Sequence, residues 1–67
     1  SEDMAYFYEH LEAVITRSGF LDPVNPRMLM RRLRRLFNKS EPDQNEINIL
    51  RGILTSVERG SQVEESE

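Results

Sequence analysis

Between Arg27 and Lys39 the sequence reads RMLMRRLRRLFNK, which holds six of the chain's nine basic residues (Arg27, Arg31, Arg32, Arg34, Arg35 and Lys39) and no acid. Arginine outnumbers lysine there by five to one. A guanidinium is a planar fork of donors that matches two oxygens of a carboxylate or phosphate, whereas an ammonium is a point charge. The chemistry on offer is therefore anion recognition. On a helix these residues spread along about three turns of one side, a spacing that straddles neighbouring phosphates. The helix start adds backbone N–H groups and the positive end of the dipole. The competing reading is a solvating face partly neutralised by acids of other helices. An ordinary solvated face, however, mixes signs in i, i+4 pairs, and this one crowds like charges.

Catalysis finds little support. His10, the only histidine, sits beside an apolar stripe with no serine or cysteine nucleophile in an evident arrangement, and reads as structural. Glu9 and Glu12 read as a solvated face. Gly19, Gly52 and Gly60 are too scattered for a phosphate loop. With no cysteine, a metal site would need carboxylates alone. The lack of disulfides fits a reducing cytoplasm. Phe7, Tyr8 and Phe37 belong to apolar arcs and only Tyr6 points away, which favours backbone and shape contacts over base stacking.

The net charge of −3 conceals a segregation, since residues 27–39 hold +6 and the remainder −9, three bases against twelve acids. At 67 residues the chain is one small domain with little stability to spare, so a partner chain or a parent domain helps to hold it. Neither a signal peptide nor an apolar run of the roughly 20 residues that a membrane span needs is present. A soluble protein is expected.

Along the chain, Met4, Phe7, Tyr8, Leu11, Val14, Ile15 and Ser18 recur at spacings of three and four, an arc of about 120° on a helix over 2–18. Ser1 is placed to cap it, Glu2 and Asp3 suit its positive end, and Gly19 suits a left-handed ending onto which Phe20 and Leu21 fold back. Asp22-Pro-Val-Asn-Pro26 is a loop, because each proline disfavours a helical residue before it. Asn25 as N-cap and Pro26 at the first helical position start a second helix over 26–38. Its apolar residues Leu29, Met30, Leu33, Leu36 and Phe37 share one arc opposite the bases, to be used up inside a bundle, and Met28 is stranded among the arginines. A capping box starts the third helix, 43–59, from either Ser40 with Asp43 or Asp43 with Glu46, the second being favoured because the apolar run begins at Ile47. Ile47, Ile49, Leu50, Ile53, Leu54 and Val57 form an arc of about 160°, which predicts the most buried helix. Gly52 within it costs about 1 kcal/mol relative to Ala and predicts a close helix crossing. Arg51 is placed either to pair with Glu46 or Glu58 or to join the basic surface. Gly60 is the expected stop, and SQVEESE, 61–67, an acidic disordered tail. The fold expected is all-α, a small three-helix bundle over 1–60.

GFLDPVNPR, LMRRLRRLF and NEINILRGIL, in that order and spacing, closely resemble the C-terminal segment of the bacterial TrmJ family, the tRNA (cytidine/uridine-2′-O-)-methyltransferases of the SpoU class of SPOUT enzymes. The resemblance covers roughly residues 4–58. It implies a fragment of a longer enzyme whose N-terminal catalytic domain, a knotted fold that binds S-adenosylmethionine and dimerises, is absent here. It also implies that the helical extension helps to bind tRNA while the parent methylates a ribose 2′-hydroxyl in the anticodon loop. No catalytic or cofactor position carries over. Arg31, Arg32, Arg34, Arg35 and Arg51 match basic positions of the family pattern, and Lys39 lies where members vary. The expected RNA-binding set is Arg27, Arg31, Arg32, Arg34, Arg35, Lys39 and Arg51. The alternative is an interaction or dimerisation module that positions the catalytic domain. The expected partners are tRNA, that catalytic domain and a second copy, with no membrane, in the cytoplasm.

Overall fold

The computed structural model describes residues 2–21 and 24–66, with 61–66 described by backbone alone. Among the described residues the chain forms three helices, α1 (Glu2–Ser18), α2 (Pro26–Ser40) and α3 (Gln44–Ser66), and no strand. The all-α class and the helix order are those that the periodicity predicts. The expected cap at Ser1 and the Asp22-Pro23 part of the loop lie outside the described residues.

Helix ends follow local chemistry. Acids occupy the first turn of α1 and Arg17 the last, each complementing the dipole. Gly19 takes a left-handed φ of 84° and donates its N–H to the Thr16 carbonyl at 3.2 Å. The two residues after it part company. Leu21 folds back, buried, and its N–H reaches the Ile15 carbonyl at 3.0 Å. Phe20 instead stays exposed, with its N–H donated to the Ser18 hydroxyl. Pro26 opens α2 as expected, yet Asn25 makes no side-chain capping bond. Its backbone, at φ −136° and ψ 54°, lies outside the extended conformation from which a cap side chain reaches the N–H groups of the second and third helical residues.

α2 runs to Ser40, two residues further than expected, and ends where Glu41 turns left-handed at φ 48°. The cause is Pro42, which disfavours the right-handed helical conformation at the residue before it. Between the two candidate caps of α3 the structure selects one. Asp43 Oδ1 accepts from Glu46 N–H and Glu46 Oε1 from Asp43 N–H, both at 2.8 Å, which is a reciprocal capping box. Ser40 turns its hydroxyl to the Phe37 carbonyl instead. At the far end α3 continues through Gly60 to Ser66. Gly60 has no positive φ and no proline follows, so nothing there forces a stop. The side chains of the acidic segment expected to be disordered, and Glu67, lie outside the described residues.

The core is the seam between α1 and α3. Phe7, Tyr8 and Val14 bury against Ile47 and Leu54, with Met4, Leu11, Phe37 and Leu50 packed around them. Phe7 is almost wholly enclosed and meets Phe37 of α2 edge-to-face at 5.0 Å between ring centroids, a favoured aromatic geometry. α2 is attached mainly through side chains, whereas α1 and α3 approach closely along their backbones.

That asymmetry overturns three expectations. α2 does not use up its apolar arc, since Met30 is buried, Leu29, Leu33 and Phe37 are half-buried, and Leu36 is exposed. The helix is rolled so that the Met30 and Phe37 flank faces inward. Nor is α3 the most buried helix, because Ile49, Ile53 and Val57 are exposed. α1 covers one flank of the 160° arc and nothing described covers the other. Finally, Gly52 marks no crossing among the described residues, because a Cβ placed there would meet nothing within 4 Å.

Candidate functional site

α2 separates its charges from its apolar arc because at 100° per residue positions 27, 31, 34 and 35 fall together, with 32 and 39 beside them. Arg27, Arg31, Arg32, Arg34, Arg35 and Lys39 are all exposed. Among the described residues none of the six forms an ion pair. Met28 is exposed among them.

The roll of α2 divides this face. Arg27, Arg31 and Arg34 border a cleft of about 470 Å³ shared with Met30 and with Glu12 of α1. Arg34 also borders a second cleft, with Glu2, Tyr6, Tyr8 and Glu9. The acids of α1 thus stand across the clefts from one flank without pairing to it. Arg32, Arg35 and Lys39 line neither cleft. They form the outer flank.

Tyr8 fixes the level of α2 against α1. Its hydroxyl oxygen lies 3.0 Å from the Arg34 carbonyl and 2.8 Å from Asn38 Oδ1. The Arg34 guanidinium carbon sits 5.8 Å from the centre of the Tyr8 ring, in cation–π range. Burial pushes the Tyr8 hydroxyl above its usual pKa of 10.0, while the positive charge of Arg34 opposes the shift. One backbone carbonyl and one ring therefore hold Arg34 in place, with its charge left outward.

Arg51 goes elsewhere. Its Nε donates to His10 Nδ1 at 3.1 Å, and His10 Nε2 meets Glu58 Oε1 at 3.0 Å. Glu58 Oε2 in turn accepts from Arg17 at 3.2 Å. Since Nδ1 is an acceptor here, neutral His10 carries its proton on Nε2 and donates to Glu58. The hydrogen bond from His10 comes first in holding the Glu58 carboxyl below its ordinary 4.5, with Arg17 adding a smaller part. Neither Glu46 nor Glu58 pairs directly with Arg51. This four-residue chain links α1 to α3, and sequence reading missed it because its bonded partners are 41 to 48 residues apart. The signal was limited to His10 and Arg51, each at the edge of an apolar arc.

Among the described residues no group of three or more histidine and acidic side chains is placed to hold a metal ion, and no helix is long and apolar enough to cross a membrane. The surface offers charge and shape, without a reacting constellation.

Comparison with known proteins assigns the chain to a family. The family model described as tRNA methyltransferase TrmJ, C-terminal domain, matches residues 2–66. The chain is 52% identical over 59 residues to the tRNA (cytidine/uridine-2′-O-)-methyltransferase TrmJ of Photorhabdus laumondii, covering 88% of this chain and 24% of that protein. It is 50% identical over 58 residues to the same enzyme of Sodalis glossinidius, covering 87% and 23%. With the Klebsiella pneumoniae enzyme it shares 45% over 58 residues, covering 87% and 24%. The chain spans about a quarter of the length of these curated relatives. No solved structure matches it. With the match running through all three helices, the chain belongs to the TrmJ family of tRNA methyltransferases, as its C-terminal domain.

Proposed function

We propose that this domain is the tRNA-holding part of an S-adenosylmethionine-dependent tRNA ribose 2′-O-methyltransferase of the SPOUT class, acting in the anticodon loop in the cytoplasm. The carrying observation is the row of exposed cations on α2 with no ion-pair partner among the described residues. Unpaired arginines at helical spacing are free to take phosphate oxygens, and each contact releases counterions from the RNA. Arg32, Arg35 and Lys39 meet the backbone first, because the acids of α1 lie across the clefts from the other flank. Arg27, Arg31 and Arg34 extend the contact toward the start of α2. The methyl donor and the reacting groups belong to the part of the longer enzyme that the chain does not cover.

The test replaces Arg31, Arg32, Arg35 and Lys39 with Glu in the full-length enzyme. None of the four side chains makes a hydrogen bond or an ion pair among the described residues, so the helical circular-dichroism signal stays and tRNA affinity falls at least tenfold. Unchanged affinity overturns the reading.

A further inference from the structure

The exposed flank of α3 is apolar. Ile49, Ile53 and Val57 are 63%, 55% and 46% exposed and follow one another at i, i+4 and i+8, in line along the helix. Gly52, Ser56 and Gly60 run beside them at the same spacing, and a Cβ at either glycine would meet nothing within 4 Å. From Asn45 to Gly60 the arc carries one charge, Glu46, in line with the stripe at its N-terminal end, and Arg59 stands at its margin beside Gly52. The stripe opens at Ile49 onto a cleft of about 340 Å³ walled by Phe37, Pro42 and Leu50.

We infer that this face docks, within the longer TrmJ polypeptide, onto an uncharged apolar surface of the part that precedes this domain. Three features select that occupant. Arg59, the single cation at the margin, is too little counter-charge for a nucleic acid or an acidic peptide. A glycine in mid-helix with open space beside it has no use inside the domain, but lets another backbone or side chain approach α3 closely. The size of the patch decides between a free copy and a tethered surface. At roughly 100 Å² of apolar side chain per residue, the stripe offers on the order of 200 Å². With the glycines, the cleft wall and the opposing surface, the buried total reaches roughly 600 Å². A stable free complex needs about 1,200 Å², whereas interfaces between domains of one chain start near 600 Å², because tethering supplies a local concentration of order millimolar. The relatives are about four times as long as the matched segment, so a tethered polypeptide large enough to supply such a surface is present in them. This docking rests on family membership and not on RNA contact.

Thiol accessibility in the full-length enzyme, without RNA, tests it. Ile53→Cys is compared with Thr55→Cys, which lies about 200° away around α3 and is exposed, with labelling read by peptide mass spectrometry at the modified site. The thiol introduced at position 53 is expected to label at least tenfold more slowly than the one at position 55 in the native protein, and equally fast in urea. Ile49→Cys repeats the comparison, in case the substitution at 53 weakens the contact. Equal native rates at both stripe positions overturn the proposal. Protection that disappears on hundredfold dilution assigns the face to a second copy and overturns it as well. Because no RNA is present, these outcomes are independent of the tRNA-affinity test.

Discussion

Tyr8 has one hydroxyl proton and two acceptors within reach, the Arg34 carbonyl and the Asn38 side chain, so it couples the helix of the core to the helix of the charges. Tyr8→Phe keeps the ring against Phe7 and removes only the oxygen. Chemical denaturation is expected to show a loss of about 1 kcal/mol, and tRNA affinity to fall less than stability would suggest, since the arginines keep their own stems. Glu58 gives a pH signature. Its folded pKa lies below the ordinary 4.5, first through the His10 hydrogen bond. A carboxyl depressed on folding adds stability above its unfolded pKa, and that increment is lost as pH falls from about 4.5 through the folded value. Denaturation midpoints across pH 6 to 3 should therefore decline in the native chain. In Glu58→Gln this part of the decline should be absent.

At the scale of the element, α3 is a helix with two apolar flanks of which the domain uses one. Gly52 lies on the unused side, which fixes the sign of a substitution. Gly52→Ala adds a methyl group to open space and removes the conformational cost of a glycine inside a helix. The domain should gain up to about 1 kcal/mol, read as a higher thermal midpoint. A loss would reveal a crossing that the packing does not show. α2 makes the complementary point, because its roll leaves Leu36 exposed and brings Arg34 up against Tyr8. The orientation of a charged face is thus set by which apolar residue of the same helix finds a partner, here Met30 and Phe37.

For the whole molecule the deciding quantity is the separation of charge. A net −3 repels RNA at long range, while +6 on one helix attracts it at short range, and salt screens both within about 10 Å at 0.1 M. The affinity of the full-length enzyme for tRNA should fall with salt by about 0.7 to 0.9 log units per log unit for each phosphate neutralised. The four-fold charge reversal should flatten that slope as well as weaken binding. A weakening with an unchanged slope would trace the loss to folding or docking. The two candidate surfaces share the small body, cationic on α2 and apolar on α3. A domain with both can be held on its own protein by one and present RNA contacts with the other.

What the sequence determined by itself was whatever depends on neighbours one helical turn away. Spacings of three and four placed Phe7, Tyr8 and Val14 inward. Pro26 began α2, the Asp43–Glu46 box began α3, and the arginines fell on one side. These are local effects, fixed by backbone geometry and short-range hydrogen bonds. Only the tertiary structure decided which flank of each apolar arc is covered, because that depends on the roll and separation of helices that meet across dozens of residues. Hence the exposure of Leu36, Ile49, Ile53 and Val57, the open space at Gly52 and the capture of Arg51 by His10 could not be read from periodicity. An amphipathic pattern states that a face needs burial. It does not state whether the partner lies in the same domain.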